Sequence, residues 1–212
     1  MTIAANGILP RRVLVASANR GKLQEIAAIL GGVGIEVLAQ SEFHLGEAAE
    51  TGLTFVENAI IKARWAAART GLPAIADDSG LEVEALGGAP GIYSARYAGP
   101  EASDQANVDK VLREAAPVPD DRRQARFHCT MVYLRQAADP SPLIAQGVWE
   151  GRLLHAPQGR NGFGYDPIFY LPDHACSAAD LDAETKNRLS HRGQAVRQLY
   201  ALLCAHYRCR SP

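Results

Sequence analysis

Two polar stretches carry residue types that act on anions and cations. Ser17-Ala-Asn-Arg-Gly-Lys22 stands where a helical pattern begins. Free backbone N–H groups, the positive end of the helix dipole, a flexible Gly21 and the Lys22 ammonium can converge there on an anion such as a phosphate. The stretch lacks the GxxxxGK[ST] spacing of a Walker loop, and a capped helix with a solvated lysine would read the same way. Asp77-Asp78-Ser79-Gly80 sets two adjacent carboxylates at the end of an apolar run, and Glu47-Ala-Ala-Glu50 forms an acidic loop upstream. Crowded carboxylates suit a hard cation, and Mg²⁺ takes one or two of them together with phosphate oxygens. An Asp-Asp pair also caps turns, so metal and turn stand level on local sequence.

Two further stretches suit a flat, polar ligand. In Asn161-Gly-Phe-Gly-Tyr-Asp166-Pro167, glycines flank two aromatics that could face a ring, with Asp166 placed for a polar edge. Packing under a tight turn explains the same aromatics equally well. Lys186 and Ser190-His191-Arg192-Gly193 form a late basic cluster able to donate to carbonyl or phosphate oxygens. Asn58 and Lys62 share a helix face beside Glu57, and a solvated surface is the better reading of them in isolation. No HxxxH, HExxH or GxSxG spacing occurs, which argues against a zinc site and against covalent acyl chemistry.

The elements that must position these residues follow from periodicity. Arg12–Ala16 reads as a strand, and Leu23, Ile26, Ala27 and Leu30 give a helix that ends at Gly31-Gly32. Thr54-x-x-Glu57 resembles a capping box, opening a helix with Val56, Ile60, Ala63 and Ala67 on one face and Gly71 as its stop. Ala74–Asp78 is a second short strand breaking into an acidic loop. A helix fits Asp104–Ala116, ended by the prolines of Pro117-Val-Pro119. Arg126–Leu134 and Leu143–Trp149 are neighbouring strands, and a last helix spans about Arg192 to His206. Strands alternating with helices, then adjacent strands, predict an α/β fold with a central mixed sheet flanked by helices. Such open sheets bind ligands at the C-terminal ends of their strands.

Composition sets the outer limits. At 212 residues with 47% hydrophobic content, the chain has the length of one large or two-lobed domain. No repeat or linker divides it, so a single domain over 1–212 is expected, with loose tails at 1–11 and 208–212. Lys plus Arg number 22 against 23 Asp plus Glu, leaving no basic field for a nucleic-acid backbone. The four cysteines form no CxxC pair and read as reduced thiols, which makes the cytoplasm the expected compartment. The N-terminal residues lack a signal-peptide pattern and no apolar run is long enough to span a bilayer.

In combination these motifs resemble the inosine triphosphate pyrophosphatase family, the Ham1-type XTP/dITP pyrophosphatases. The resemblance rests on Ser17-x-Asn19-x-x-Lys22, Thr51-Gly-Leu-Thr-Phe-Val-Glu57-Asn58-Ala, Ala74–Leu81, Leu86–Tyr97, Phe163–Phe169 and Ser190–Gly193, in that order. It covers about residues 12–206 and implies an elongated, two-lobed α/β subunit with an active-site cleft between the lobes. It further implies a homodimer, Mg²⁺ dependence, and hydrolysis of ITP, dITP and XTP to monophosphate and pyrophosphate. Position by position, it puts Ser17, Ala18, Asn19, Arg20, Gly21 and Lys22 on the triphosphate. Asp78 becomes metal ligand and proton acceptor, with Asp77 and Lys22 supporting the chemistry and Glu50 the second metal-linked carboxylate. Ser79, Phe163, Gly164, Tyr165, Asp166, Lys186, His191 and Arg192 fall to substrate, mostly on the base side. Some relatives carry an acidic pair where this chain has Ala49-Glu50. A Maf-like pyrophosphatase acting on methylated or pyrimidine triphosphates is the enzymatic alternative, disfavoured by the Phe163–Pro167 and Ser190–Gly193 motifs. A non-catalytic nucleotide-binding module is the alternative of another class.

Overall fold

The computed structural model describes residues 9–207. The expected tails therefore lie outside the described residues, apart from 9–11. The β-branched run forms β1 (Arg12–Val15), and the polar stretch after it leads into α1 (Arg20–Gly31). β2 (Glu36–Ala39), α2 (Phe55–Thr70), β3 (Ala74–Val83) and α3 (Asp104–Glu114) follow. The chain then builds β4 (Gln124–Leu134), β5 (Leu143–Leu153), β6 (Phe169–Leu171), β7 (Cys176–Ser177), α4 (Ala183–Leu189) and α5 (His191–His206). One seven-stranded sheet results, in the order β2-β1-β3-β4-β5-β6-β7. β1 runs parallel to β2 and β3, whereas β6 is antiparallel to β5 and β7, so the sheet is mixed as the pattern predicts.

By internal packing the chain divides into two compact units. Among the described residues, the first comprises 9–78, Thr130–Gln146 and 195–207; the second comprises Ser79–Cys129 and Gly147–Gln194. β3, β4 and β5 each give residues to both units.

In the first unit α2 turns an alanine face, Ala59, Ala63, Ala66 and Ala67, into a core with Leu14, Leu38, Ala74, Ala76, Val132 and Leu134. Small side chains at these spacings let a helix approach a sheet closely, which carries the flanking Asn58 and Lys62 inward as well. Thr54 caps α2 by accepting from the Glu57 N–H at 3.3 Å, and Gly71, at φ 69°, closes the other end. Glu57 reaches back over this end, accepting from the Leu53 N–H at 2.8 Å and the Thr54 hydroxyl at 2.9 Å.

The second unit packs Phe127, Trp149 and Phe169 with Leu81, Val83, Val108, Val111 and Ile168. Arg123, 2% exposed, crosses this unit and donates to the carbonyls of Ala115, Val118, Leu153 and Leu154. Ala115 is the C-terminal cap of α3, so the guanidinium satisfies carbonyls that a helix end and a strand end would otherwise leave orphaned.

One expectation is overturned. β3 does not break after Asp78 but continues through the acidic doublet to Val83. The strand tolerates the carboxylates because consecutive side chains point to opposite faces, which gives each one room for its own lysine. β2, β6, β7 and α4 were not anticipated. Cys129, Cys176 and Cys204 are unbridged, and Cys209 lies outside the described residues. Among the described residues no helix is long and apolar enough to cross a membrane.

Candidate active site

The first unit gathers three carboxylates and two lysines. Asp77 and Asp78, 1% and 5% exposed, are placed by β3, Lys22 by the first turn of α1, and Lys62 by the second turn of α2. Glu50 comes from the loop before α2. Lys22 Nζ pairs with Asp77 Oδ2 at 3.1 Å. Lys62 Nζ donates to Glu50 Oε1 at 2.8 Å and to Asp78 Oδ1 at 2.9 Å, which joins two carboxylates through one cation. Asn58 Nδ2 donates to the other Asp78 oxygen at 3.2 Å. Reading Asn58 and Lys62 as solvated surface was therefore wrong. Their shared helix face is what the sequence displayed, and the partner on β3 is what it hid.

Three carboxylates against two ammoniums leave one net negative charge, and the titration directions reflect it. Burial alone would pull the Lys62 ammonium down, but Asp78, Asp77 and Glu50 outweigh it and hold its pKa above the ordinary lysine value. Asp78 moves up from the usual carboxylate value because burial, with the Glu50 charge in support, outweighs Lys62 and Lys22. Lys62 thus stays charged while Asp78 is a stronger base than an ordinary aspartate.

The polar stretch 17–22 opens α1 with a capped turn whose donors could face an anion. Asn19 caps α1 by accepting from the Lys22 N–H at 3.0 Å, and Ser17 Oγ accepts from the Asn19 N–H at 3.2 Å. Helix geometry leaves the N–H groups of Arg20 and Gly21 without intrahelical partners, and Ala18, Asn19 and Arg20 are exposed. No acidic side chain opposes the dipole's positive end in the first turn.

The second unit brings together most of the other predicted residues. Lys186 Nζ, 7% exposed as a side chain, pairs with Asp166 Oδ2 at 2.5 Å and lies 4.6 Å from the centroid of the Phe163 ring. The Arg192 guanidinium stands 5.6 Å from the same ring and donates to Ser79 Oγ at 2.8 Å. Asp166 also accepts from the Phe163 N–H at 2.8 Å, which folds the loop tightly. A Cβ on Gly162, at φ +75°, would lie 2.1 Å from Asp166 Oδ2, so this loop requires glycine there. The two aromatics separate in role. Phe163 is half-buried under its cations, whereas Tyr165 is buried and donates to the Ser94 carbonyl at 2.8 Å. The Gly164 N–H reaches Asp104 Oδ2 at 2.9 Å. His191 is 4% exposed and stacks on Phe127, with ring centroids 4.7 Å apart and planes within 10°. It is packed into the aromatic core, where it also stacks on Trp149.

Among the described residues no three or more His, Cys, Asp or Glu side chains gather into a group that could hold a metal ion alone. Glu50 and Asp78 nevertheless converge on one positive charge, the Lys62 ammonium, and both are hard oxygen donors. That fits magnesium, which completes a pair of carboxylates with water and phosphate oxygens.

The α/β fold thus carries an acidic cluster with two lysines in its first unit and a half-buried ring beside Lys186 and Arg192 in its second. The Ham1 family model matches residues 13–202, and the chain belongs to that family. A dITP/XTP pyrophosphatase of Vibrio parahaemolyticus is 57% identical over 195 residues, 92% of this chain and 98% of that protein. One from Pectobacterium atrosepticum is 58% identical over 189 residues, 89% and 96% of the two chains. Among solved structures, a HAM1 protein from Coxiella burnetii superposes with a TM-score of 0.84 at 50% identity, covering 92% of this chain and 98% of the other. The Staphylococcus aureus Ham1 protein does so with 0.80 at 40% identity, covering 92% and 99%.

Proposed function

We propose that this chain hydrolyses deaminated purine nucleoside triphosphates, ITP, dITP and XTP, to the monophosphate and pyrophosphate, and so clears them from the cytoplasmic precursor pool. The observation that carries this reading is the Lys62 ammonium shared by Glu50 and Asp78 beside the Lys22–Asp77 pair. The names carried by relatives that match at least nine-tenths of their own length support the same activity.

Ser17 to Lys22 bind the triphosphate through backbone N–H groups and the Lys22 ammonium, and Asp77 holds that ammonium in place. Glu50 and Asp78 would hold magnesium, which when bound neutralises phosphate charge and acidifies water. Asp78 accepts the proton of the water that attacks the α-phosphorus, a role its raised basicity suits. Lys62 balances the charge of the two carboxylates and keeps Asp78 ionised. Phe163 stacks on the base, and Lys186 and Arg192 donate to the 6-carbonyl of hypoxanthine or xanthine. Adenine, with an amino donor there, would set donor against donor and be rejected. Ser79, Gly164, Tyr165, Asp166 and His191 shape the substrate side, Tyr165 and His191 from within the core. The chain works as a homodimer, as its resemblance implies, which light scattering at two concentrations checks.

The test is pyrophosphate release from ITP, XTP, dITP, ATP, GTP and dTTP, each with Mg²⁺ and with EDTA. Fast release confined to the first three and abolished by EDTA is expected. Release from dTTP alone would move the chain to pyrimidine triphosphates, and silence on all six overturns the proposal.

A further inference from the structure

Asn58 is 0% exposed, a polar side chain beside an alanine face. Its carboxamide is used at both ends. Oδ1 accepts from the Gly52 N–H at 2.8 Å, and Nδ2 donates to Asp78 Oδ2 at 3.2 Å. A buried amide costs stability unless such partners exist, and these two bring together a loop and a strand distant in sequence. Gly52 is two residues from Glu50. Its own approach is so close that a Cβ there would fall 2.6 Å from Glu57 Cβ and 2.8 Å from Asn58 Oδ1. Lys62, one turn along α2, takes the remaining Asp78 oxygen and reaches Glu50. The plane of the Asp78 carboxylate is thereby set by a donor on each oxygen, both from α2.

We propose that Asn58 is a positioning residue, which locks the Asp78 carboxylate and the Glu50-bearing loop to one helix so that the two acids keep a fixed separation. Its kinetic consequence rests on the pyrophosphatase reading, whereas its structural consequence does not. Asn58→Asp retains the acceptor for Gly52 but turns a carboxylate toward Asp78; Asn58→Ala removes both bonds; Gly52→Ala forces the loop away and leaves the Asp78 bond intact.

The experiment is backbone hydrogen exchange at Gly52 together with steady-state pyrophosphate release from ITP, on full-length folded protein. In Asn58→Ala, exchange at Gly52 is expected to rise about tenfold or more, and kcat to fall about 10–100-fold with KM within about threefold, the scale of lost support around a metal site or of a small misplacement. Asn58→Asp is expected to keep Gly52 protected while losing kcat to a similar degree. Gly52→Ala is expected to lose protection and part of kcat, and it carries the test should Asn58→Ala fail to fold. Unchanged kcat per folded molecule in these variants, or unchanged Gly52 exchange in Asn58→Ala, overturns the proposal. A wild-type protein inactive on ITP would instead overturn the pyrophosphatase reading, and exchange at Gly52 would still decide the Asn58 bridge.

Discussion

The acidic cluster of the first unit and the Phe163 set of the second are built from the same pair of residue types, lysine and aspartate, yet they differ in charge balance. Around Lys62 and Lys22, carboxylates outnumber ammoniums by three to two, and Asp78 is pushed toward greater basicity. Around Phe163, one aspartate answers one lysine and Arg192 adds a further cation. On the proposed reading, the surplus of acid suits the first set to a metal-bearing polyanion and a proton, while the balanced pair holds Lys186 over the Phe163 ring. The difference shows that a Lys–Asp contact has no intrinsic role; the count of its neighbours gives it one.

The largest effect expected from breaking the acidic set is in Asp78→Asn, which should lower kcat for ITP about 10²–10⁴-fold, the usual range for loss of a general base. Pyrophosphate release reads this directly, and near-normal turnover would remove Asp78 from the chemistry. Lys62→Met comes next. It leaves Glu50 and Asp78 without their shared cation, and an about 10²–10³-fold loss of kcat is expected, comparable with removal of one preorganised electrostatic group. Phe163→Ala should separate the two sets, because base stacking worth about 1–3 kcal/mol predicts a KM for ITP raised about 5–150-fold, with kcat little altered. An equal loss in kcat would mean that the ring also orients the reacting end.

A further aspartate sharpens the contrast by moving the opposite way to Asp78. Asp139 accepts two bonds from the Arg135 guanidinium, at 2.7 and 2.8 Å, with the N–H groups of Arg135 and Ser141 in addition. These bonds bring its pKa down to about 2, burial opposing them. A carboxyl depressed below its unfolded value of about 3.9 stabilises the fold above that pH, and the contribution is lost as pH falls toward 2. Asp139→Asn should therefore cost about 1 kcal/mol at pH 7, allowing for solvent screening of the half-exposed arginine, and progressively less below pH 4. Urea midpoints measured across that range check it.

Much of this arrangement is legible in the sequence wherever an element is long enough to show its period. The α1, α2, α3 and α5 helices and β1, β4 and β5 all display an apolar spacing that survives without tertiary context. The two-residue β7 and three-residue β6 are too short to carry one, and α4, Ala-Glu-Thr-Lys-Asn-Arg-Leu, is largely polar along its seven residues. Asp77 and Asp78 were legible as chemistry but not as strand, since aspartate is disfavoured there and the lysines that compensate it come from distant helices. Lys62 escaped for the same reason. Its spacing to Asn58 shows a shared face, but nothing local reveals a carboxylate 16 residues further on.

The four carbonyls gathered by Arg123 have a consequence for how variants of this chain would behave in cells. A lysine there offers a single ammonium in place of a rigid fork, so it cannot reach a helix end and a strand end at once. Carbonyls stripped of partners inside a core cost folding free energy, and a loss of one or two kcal/mol already changes steady-state abundance several-fold through proteolysis. Arg123→Lys should therefore present as scarcity: too few molecules in a lysate, each of them working at its normal speed. A screen scored by total activity would mistake it for an active-site defect, and only normalising to folded enzyme would tell the two apart.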